Sequence, residues 1–83
     1  MKILKFYADW CAPCRALTTV LDGGNVETEA VNIELNADLT IQHNVRKVPT
    51  LVFLDEEGKE AARLSGMVTL EQVKEKINGI NPN

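Results

Sequence analysis

Aromatic residues are scarce in this 83-residue chain, which contains two Phe, one Tyr and one Trp. Phe6, Tyr7 and Trp10 lie close together just before the first cysteine, so they mark a segment unlike the rest of the chain. A domain of this size buries only about 60% of the surface that its unfolded chain exposes. Because 45% of the residues are hydrophobic, one compact core is nevertheless possible, and we predict a single domain over residues 1–83.

Basic stripes and long hydrophobic runs are also missing. The formal net charge is −3 and the acidic and basic residues are interleaved, so we predict no surface that would neutralise a nucleic-acid backbone. No apolar run reaches the roughly 20 residues that span a bilayer. The first residues alternate in polarity and do not form the apolar centre of a signal peptide. We therefore expect a cytoplasmic protein without nucleic-acid or membrane partners.

Cysteine occurs only as Cys11 and Cys14. In a reducing compartment a structural disulfide is not expected, and one that closes two intervening residues would constrain the unfolded chain very little. A structural zinc site usually has four ligands, and besides the cysteines the chain offers only His43. Two buried cysteines that pack as small hydrophobic residues remain an alternative. The neighbouring Trp10 and Pro13 favour a chemical role for the pair.

The hydrophobic pattern predicts seven elements in the order β-α-β-α-β-β-α. Alternation with a period of two indicates strands, and apolar residues spaced by three and four indicate helices. The predicted strands cover residues 2–8, 29–35 (with Val31, Ile33 and Leu35 on one face), 50–54 and 59–64, and a short helix covers residues 38–44. A strand-helix-strand start implies parallel pairing with a right-handed crossover, and the later hairpin adds an antiparallel edge. We therefore predict an α/β fold with a mixed sheet.

The first predicted helix starts at the cysteine pair. Its apolar positions are Ala12, Ala16, Leu17, Val20 and Leu21, and Gly23-Gly24 ends the pattern. Pro13 suits the first turn, where a backbone N–H is not needed. Cys11 would then lie at the helix N-terminus, where unpaired N–H groups and the helix dipole favour a thiolate. Cys14 follows one turn later within disulfide reach, so the pair can alternate between dithiol and disulfide.

The last predicted helix carries clear start and stop signals. Thr69 and Gln72 have the spacing of a capping box. Gly79 is predicted to end the helix, with Pro82 beyond it. The apolar stripe between these signals comprises Leu70, Val73, Ile77 and Ile80.

Three segments carry a resemblance to a known family. Residues 6–15 read Phe6-Tyr7-Ala8-Asp9-Trp10-Cys11-Ala12-Pro13-Cys14-Arg15, which resembles the active-site segment of thioredoxins. The segment Val45-Arg46-Lys47-Val48-Pro49-Thr50 resembles the family's second signature, in which Pro49 matches a cis-proline, and Gly66 matches the glycine before the last helix. The similarity spans essentially the whole chain. It implies a thioredoxin-like fold with a central four-stranded mixed sheet, trimmed to the size of a glutaredoxin core.

The resemblance also implies a reaction. Cys11 would attack a target disulfide as the nucleophile, and Cys14 would resolve the mixed disulfide, so the chain would be a protein-disulfide reductase. No cofactor or metal would be needed beyond the redox-active Cys11–Cys14 disulfide. The implied partners are thioredoxin reductase and disulfide-containing proteins such as ribonucleotide reductase, and the implied state is a monomer serving electron transport and cell redox homeostasis. The implied substrate-binding residues are Trp10, Ala12, Pro13, Val48, Pro49 and Gly66.

The sequence departs from the family pattern at Lys5, which occupies the position of a buried aspartate in thioredoxins. A charged Lys5 would favour the thiolates and make the protein a weaker reductant, whereas a neutral Lys5 would accept the Cys14 proton. A third interpretation is that its side chain reaches solvent or pairs with Glu34. Our hypothesis is that a charged Lys5 shifts the redox potential. Asp9 is a further candidate for tuning the site.

Other functions compete with this one. Glutathione-coupled glutaredoxin activity belongs to the same class of chemistry, although the chain lacks the usual Cys-Pro-Tyr-Cys. A thioredoxin-like binding subunit with dispensable cysteines belongs to a different class. His43 is predicted to be a solvated surface residue, and the acidic segment 55–57 a solvated turn.

Overall fold

The computed structural model describes residues 1–81. Four strands form one sheet in the spatial order β2-β1-β3-β4. Strand β1 pairs parallel with β2 and antiparallel with β3, and β3 pairs antiparallel with β4. The predicted α/β fold and its mixed sheet are confirmed. The elements are β1 (Lys2–Tyr7), α1 (Ala12–Gly23), β2 (Glu29–Asn32), α2 (Ala37–Gln42), β3 (Thr50–Leu54), β4 (Glu60–Ser65) and α3 (Leu70–Ile80).

Strand β1 is an inner strand with a hydrophobic cluster on each face. This is why both faces of its sequence are apolar. On one face Ile3 packs with residues of α1, α3 and β3, and on the other Leu4 and Phe6 pack with β2 and β3. The buried members of the first cluster are Ile3, Leu17, Leu21, Leu51, Phe53, Val68 and Val73. Those of the second cluster are Leu4, Phe6, Val31 and Val52.

Strand β2 is shorter than predicted, because it ends at Asn32 and not at residue 35. The Asn32 side-chain oxygen accepts a hydrogen bond from the Glu34 backbone N–H at 2.9 Å. This local bond favours a turn over continuation of the strand. Leu35, predicted to lie on one face of the strand with Val31, falls outside the strand and is 81% exposed.

Helix α1 begins and ends close to the predicted positions, with Cys11 as its N-cap and Gly24 as its C-cap. Its buried residues are Cys14, Leu17 and Leu21. Ala12 and Ala16, predicted to belong to the apolar face, are exposed instead. Helical spacing alone did not separate them from the buried face, because alanine suits either side of a helix.

Helix α3 starts with the predicted capping box. The Thr69 hydroxyl accepts the Gln72 N–H at 3.1 Å, and the Gln72 side chain accepts the Thr69 N–H at 2.9 Å. The prediction that Gly79 ends the helix was wrong, because α3 continues through Gly79 to Ile80 and has Asn81 as its C-cap. Ile80 packs against the first hydrophobic cluster, which extends the helix by one residue. Pro82, the predicted stop, lies outside the described residues.

Replacing Thr69 with alanine is expected to lower the free energy of unfolding by about 1 kcal/mol, since an N-cap of this type contributes that amount. Urea unfolding of the parent and the variant measures the change. Thr19→Ala is the matched control, because Thr19 is exposed within α1 and its hydroxyl forms only a 3.4 Å bond to the Arg15 carbonyl. Equal losses in the two variants would contradict a capping role for Thr69.

Arg63 of β4 joins the edge of the sheet to the end of α2. Its guanidinium forms two 2.6 Å hydrogen bonds with the Glu60 carboxylate and donates to the His43 carbonyl. His43 itself is half-buried, with its ring centroid 5.8 Å from that of Phe6. His43 is therefore less solvated than predicted, because its ring packs against Phe6 on one side.

The same ion pair predicts a pH dependence of stability. The pKa of the Glu60 carboxyl lies below its ordinary value of 4.5 because Arg63 donates hydrogen bonds to it. A lowered pKa in the folded state stabilises the protein above the unfolded value and loses that contribution as the pH falls through the folded value. Because both side chains are about one-third exposed, the contribution is expected to stay below about 1 kcal/mol.

Urea unfolding of the parent and Glu60→Gln at pH 7 and at pH 3 tests this dependence. The difference in unfolding free energy should be present at pH 7 and shrink at pH 3. Glu56→Gln, in the exposed turn before β4, is the control and should show no such change. A Glu60→Gln difference that stays constant with pH would contradict the assignment.

Candidate active site

The cysteine pair lies directly after β1, where the strand turns into α1. The Cys11 N–H donates to the Ala8 carbonyl at 3.1 Å, which closes the turn. Cys11 has extended backbone angles and serves as the N-cap, and Pro13 lies in the first turn of α1. The prediction that Cys11 lies at a helix N-terminus is confirmed.

Cys11 and Cys14 are joined by a disulfide, with their Cα atoms 5.3 Å apart. The Cys14 N–H donates to the Cys11 sulfur at 3.2 Å. This N–H is one of the orphan donors of the helix start, and such donors stabilise a negatively charged sulfur once the disulfide is reduced. Both cysteines are buried and pack against Ala8. The arrangement can therefore form and break its own disulfide within one helical turn.

The loop before β3 packs against the cysteines. The Val48–Pro49 peptide bond is cis, as the resemblance implies. Val48 contacts the cluster formed by Ala8, Cys11 and Cys14. The Pro49 carbonyl accepts the Gly66 N–H at 2.8 Å. Three segments distant in sequence thus meet at the site: the cysteine turn, the loop at Pro49 and the turn at Gly66.

The predicted substrate-binding residues differ in exposure. Trp10 is 67% exposed, and Ala12 and Pro13 are also exposed at the start of α1. Pro49 is fully buried, whereas Val48 and Gly66 are half-buried. Gly66 has a φ of +79°, a backbone conformation that favours glycine.

Lys5 is buried on the α1 side of the sheet, with 8% of its surface exposed. Its ammonium donates to the Thr18 hydroxyl at 2.6 Å and lies 6.0 Å from the centroid of the Tyr7 ring. The interpretation that Lys5 reaches solvent or pairs with Glu34 was wrong, because α1 covers this face of β1 and supplies a closer acceptor. Lys5 and Cys14 line the same cleft of about 340 Å³.

Thr18 is the site residue that the sequence analysis missed. Its hydroxyl accepts from Lys5 and donates to the Cys14 carbonyl at 3.1 Å. The available signal was its position four residues after Cys14, which places both on one face of α1. That signal says nothing about Lys5, since the contact depends on how α1 packs on the sheet.

Asp9 is exposed, and its backbone carbonyl accepts a 2.9 Å hydrogen bond from Arg15. Both residues line the cleft that contains Lys5. Within residues 1–81, no three or more His, Cys, Asp or Glu side chains gather as a metal site. Over the same span, no helix is long and apolar enough to cross a membrane.

Comparisons with known proteins identify relatives of this chain. The family model described as Thioredoxin matches residues 1–79. Thioredoxin of Chlamydia pneumoniae is 33% identical over 81 residues, covering 92% of this chain and 78% of that protein. Thioredoxin-T of Drosophila melanogaster is 38% identical over 58 residues, covering 63% of this chain but only 37% of that protein. The solved structure of thioredoxin 1 from Thermosipho africanus superposes with a TM-score of 0.78 at 27% identity, covering 99% of this chain and 96% of that chain.

Proposed function

Since the chain belongs to the thioredoxin family, we propose that it is a redox carrier that reduces disulfides in other proteins. The Cys11–Cys14 pair supports dithiol–disulfide exchange, which makes the chain a disulfide oxidoreductase. The observation that carries the proposal is the disulfide between an N-cap cysteine and a cysteine in the first turn of the same helix. The exchange needs no cofactor besides this pair.

The reaction starts from the dithiol. The Cys11 thiolate attacks one sulfur of the target disulfide, forms a mixed disulfide and releases the other target sulfur as a thiolate, which takes up a proton. The Cys14 thiolate then attacks the Cys11 sulfur. This step re-forms the Cys11–Cys14 disulfide and releases the second target thiolate. The target gains two electrons and the carrier loses two.

The target segment would lie across the loop at Pro49. Among residues 1–81, no backbone hydrogen bond uses the N–H or carbonyl of Val48, so both are available to an extended peptide. Such main-chain pairing provides affinity without requiring a particular sequence. Trp10, Ala12 and Pro13 would form the exposed side of the binding surface and Gly66 its far edge.

Thioredoxin reductase would reduce the oxidised Cys11–Cys14 pair again, and the carrier would reduce targets such as ribonucleotide reductase. The family match supports the general class of partner. We further propose that it works as a monomer in the cytoplasm, where it carries electrons and maintains redox balance. The sequence supports the cytoplasmic location, because its acidic and basic residues are interleaved and its apolar runs are shorter than the roughly 20 residues that span a bilayer.

Reduction of insulin tests the proposal. The parent is expected to turn over with NADPH and thioredoxin reductase, and much more slowly with glutathione, glutathione reductase and NADPH. Faster turnover with glutathione would favour glutaredoxin activity instead. A Cys11→Ser, Cys14→Ser double variant that retained full biological activity would favour a binding subunit and overturn the proposal.

A further inference from the structure

Lys5 is the one buried charged residue within residues 1–81. It lies in the middle of β1, opposite Ala30 of β2 and Leu51 of β3. Neither neighbour carries a charge or a hydrogen-bonding side chain. The ammonium therefore depends on the helix above it, where the Thr18 hydroxyl is its hydrogen-bond acceptor. A buried charge needs such a partner, because losing solvation is costly.

Thr18 connects this ammonium to the active-site turn. Its hydroxyl oxygen accepts a 2.6 Å hydrogen bond from the Lys5 ammonium and donates a 3.1 Å hydrogen bond to the Cys14 carbonyl. The two hydrogen bonds fix the orientation of the hydroxyl and the position of the Lys5 ammonium. Lys5 and Cys14 line the same cleft.

The other charged groups that line the cleft are exposed to solvent. Asp9 and Arg15 line it with opposite charges, and both are exposed, so solvent screens their effect. Asp22 and Glu27 line a second cleft that Lys5 also lines, and both are exposed. The Tyr7 ring also lines the first cleft. Lys5 is therefore the charge whose field reaches Cys14 with the least screening.

We propose that Thr18 is a positioning residue, which holds the Lys5 ammonium in the cleft that Cys14 also lines and thereby stabilises the reduced form of the pair. The inference rests on the proposed function and adds the groups that set its driving force. Two electrons from an external dithiol break the Cys11–Cys14 bond and leave two thiolates, which are then protonated to the extent that the medium allows. A nearby ammonium stabilises the Cys14 thiolate but has no charge to act on in the disulfide. Holding Lys5 in place thus makes the protein easier to reduce and a weaker reductant.

Equilibration of purified variants with graded dithiothreitol buffers tests the proposal. Lys5→Met keeps the length and burial of the side chain and removes its charge. It is expected to shift the redox equilibrium about tenfold toward the disulfide, which corresponds to about 30 mV more negative for a two-electron couple. Thr18→Val keeps the shape of the side chain and removes both hydrogen bonds. It is expected to shift the equilibrium about three- to tenfold in the same direction.

Two variants serve as matched controls. Thr18→Ser keeps the hydroxyl and should stay within about twofold of the parent. Thr19→Val removes a hydroxyl that makes the same type of bond, to a carbonyl four residues back, but on the exposed face of α1. It should also stay within about twofold of the parent. These variants separate a general effect on the helix from the contact with Lys5.

The Lys5→Met, Thr18→Val double variant decides whether Thr18 acts through Lys5. Its potential should equal that of Lys5→Met, because Thr18 has no ammonium left to hold. Independent, additive shifts would overturn the proposal, as would a Thr18→Val or Lys5→Met potential equal to that of the parent. The buffers contain no reductase or target protein, so this result is distinct from failure of the parent in the insulin assays.

Discussion

Replacing Cys11 with serine is expected to abolish disulfide reduction, with a loss of at least about 10³-fold, the scale on which removal of a nucleophile acts in a catalytic unit. A serine hydroxyl at this position is not ionised near neutral pH and does not form a disulfide. The helix start that favours a charged sulfur at Cys11, including the 3.2 Å bond from the Cys14 N–H, gives no comparable help to a hydroxyl. Insulin reduction with NADPH and thioredoxin reductase measures the loss.

Cys14→Ser is the matched variant, because it leaves the attacking sulfur in place. It is expected to lose turnover as well but to accumulate a mixed disulfide between Cys11 and the target, since the resolving sulfur is missing. Mass spectrometry under non-reducing conditions detects the adduct. Adduct formation by Cys11→Ser, and none by Cys14→Ser, would reverse the two roles.

Replacing Phe53 with alanine is expected to lower the free energy of unfolding by about 3–5 kcal/mol, the usual effect of removing a buried aromatic side chain. Phe53 is fully buried in the first hydrophobic cluster, where β3 meets α1 and α3. An 83-residue protein has a total stability of about 4–12 kcal/mol. The variant should therefore lose at least about a quarter of its stability, with Tm lowered by at least about 12 °C.

Thermal and urea unfolding of the oxidised protein measure this effect. Leu35→Ala is the control, because Leu35 is also a large hydrophobic residue but is 81% exposed, and its loss should change stability by no more than about 0.5 kcal/mol. A Phe53→Ala variant as stable as Leu35→Ala would show that the first cluster does not hold α1 and α3 on the sheet.

The elements that the sequence predicted well are those with strong local signals. The strand Thr50–Leu54 was predicted to the residue, since its apolar run is bounded by Pro49 and an acidic turn. The capping box at Thr69 appeared as expected because both of its bonds join residues three positions apart. The end of α3 was misplaced because Gly79 is a weak stop when a hydrophobic residue beyond it has a core to pack on.

The length of β2 shows the opposite case. Alternation continues from Val31 to Leu35 in the sequence, yet the chain turns after Asn32. The hydrogen bond from Glu34 to the Asn32 side chain and the lack of a core next to Leu35 outweighed the pattern. A two-residue period identifies a strand where both of its faces find partners, and only the packing shows how far those partners extend.

The sequence alone determined the order of the elements, the place of Cys11 at a helix start and the chemistry open to the cysteine pair. Each of these depends on residues a few positions apart, whose geometry follows from the backbone. Only the tertiary structure decided where the Lys5 ammonium goes. Thr18 lies thirteen positions away, and the two meet because α1 packs across β1 and buries the Lys5 side chain. A lysine in the middle of a strand has several possible partners in the sequence, but burial under α1 leaves it the one hydroxyl that also bonds to the Cys14 carbonyl.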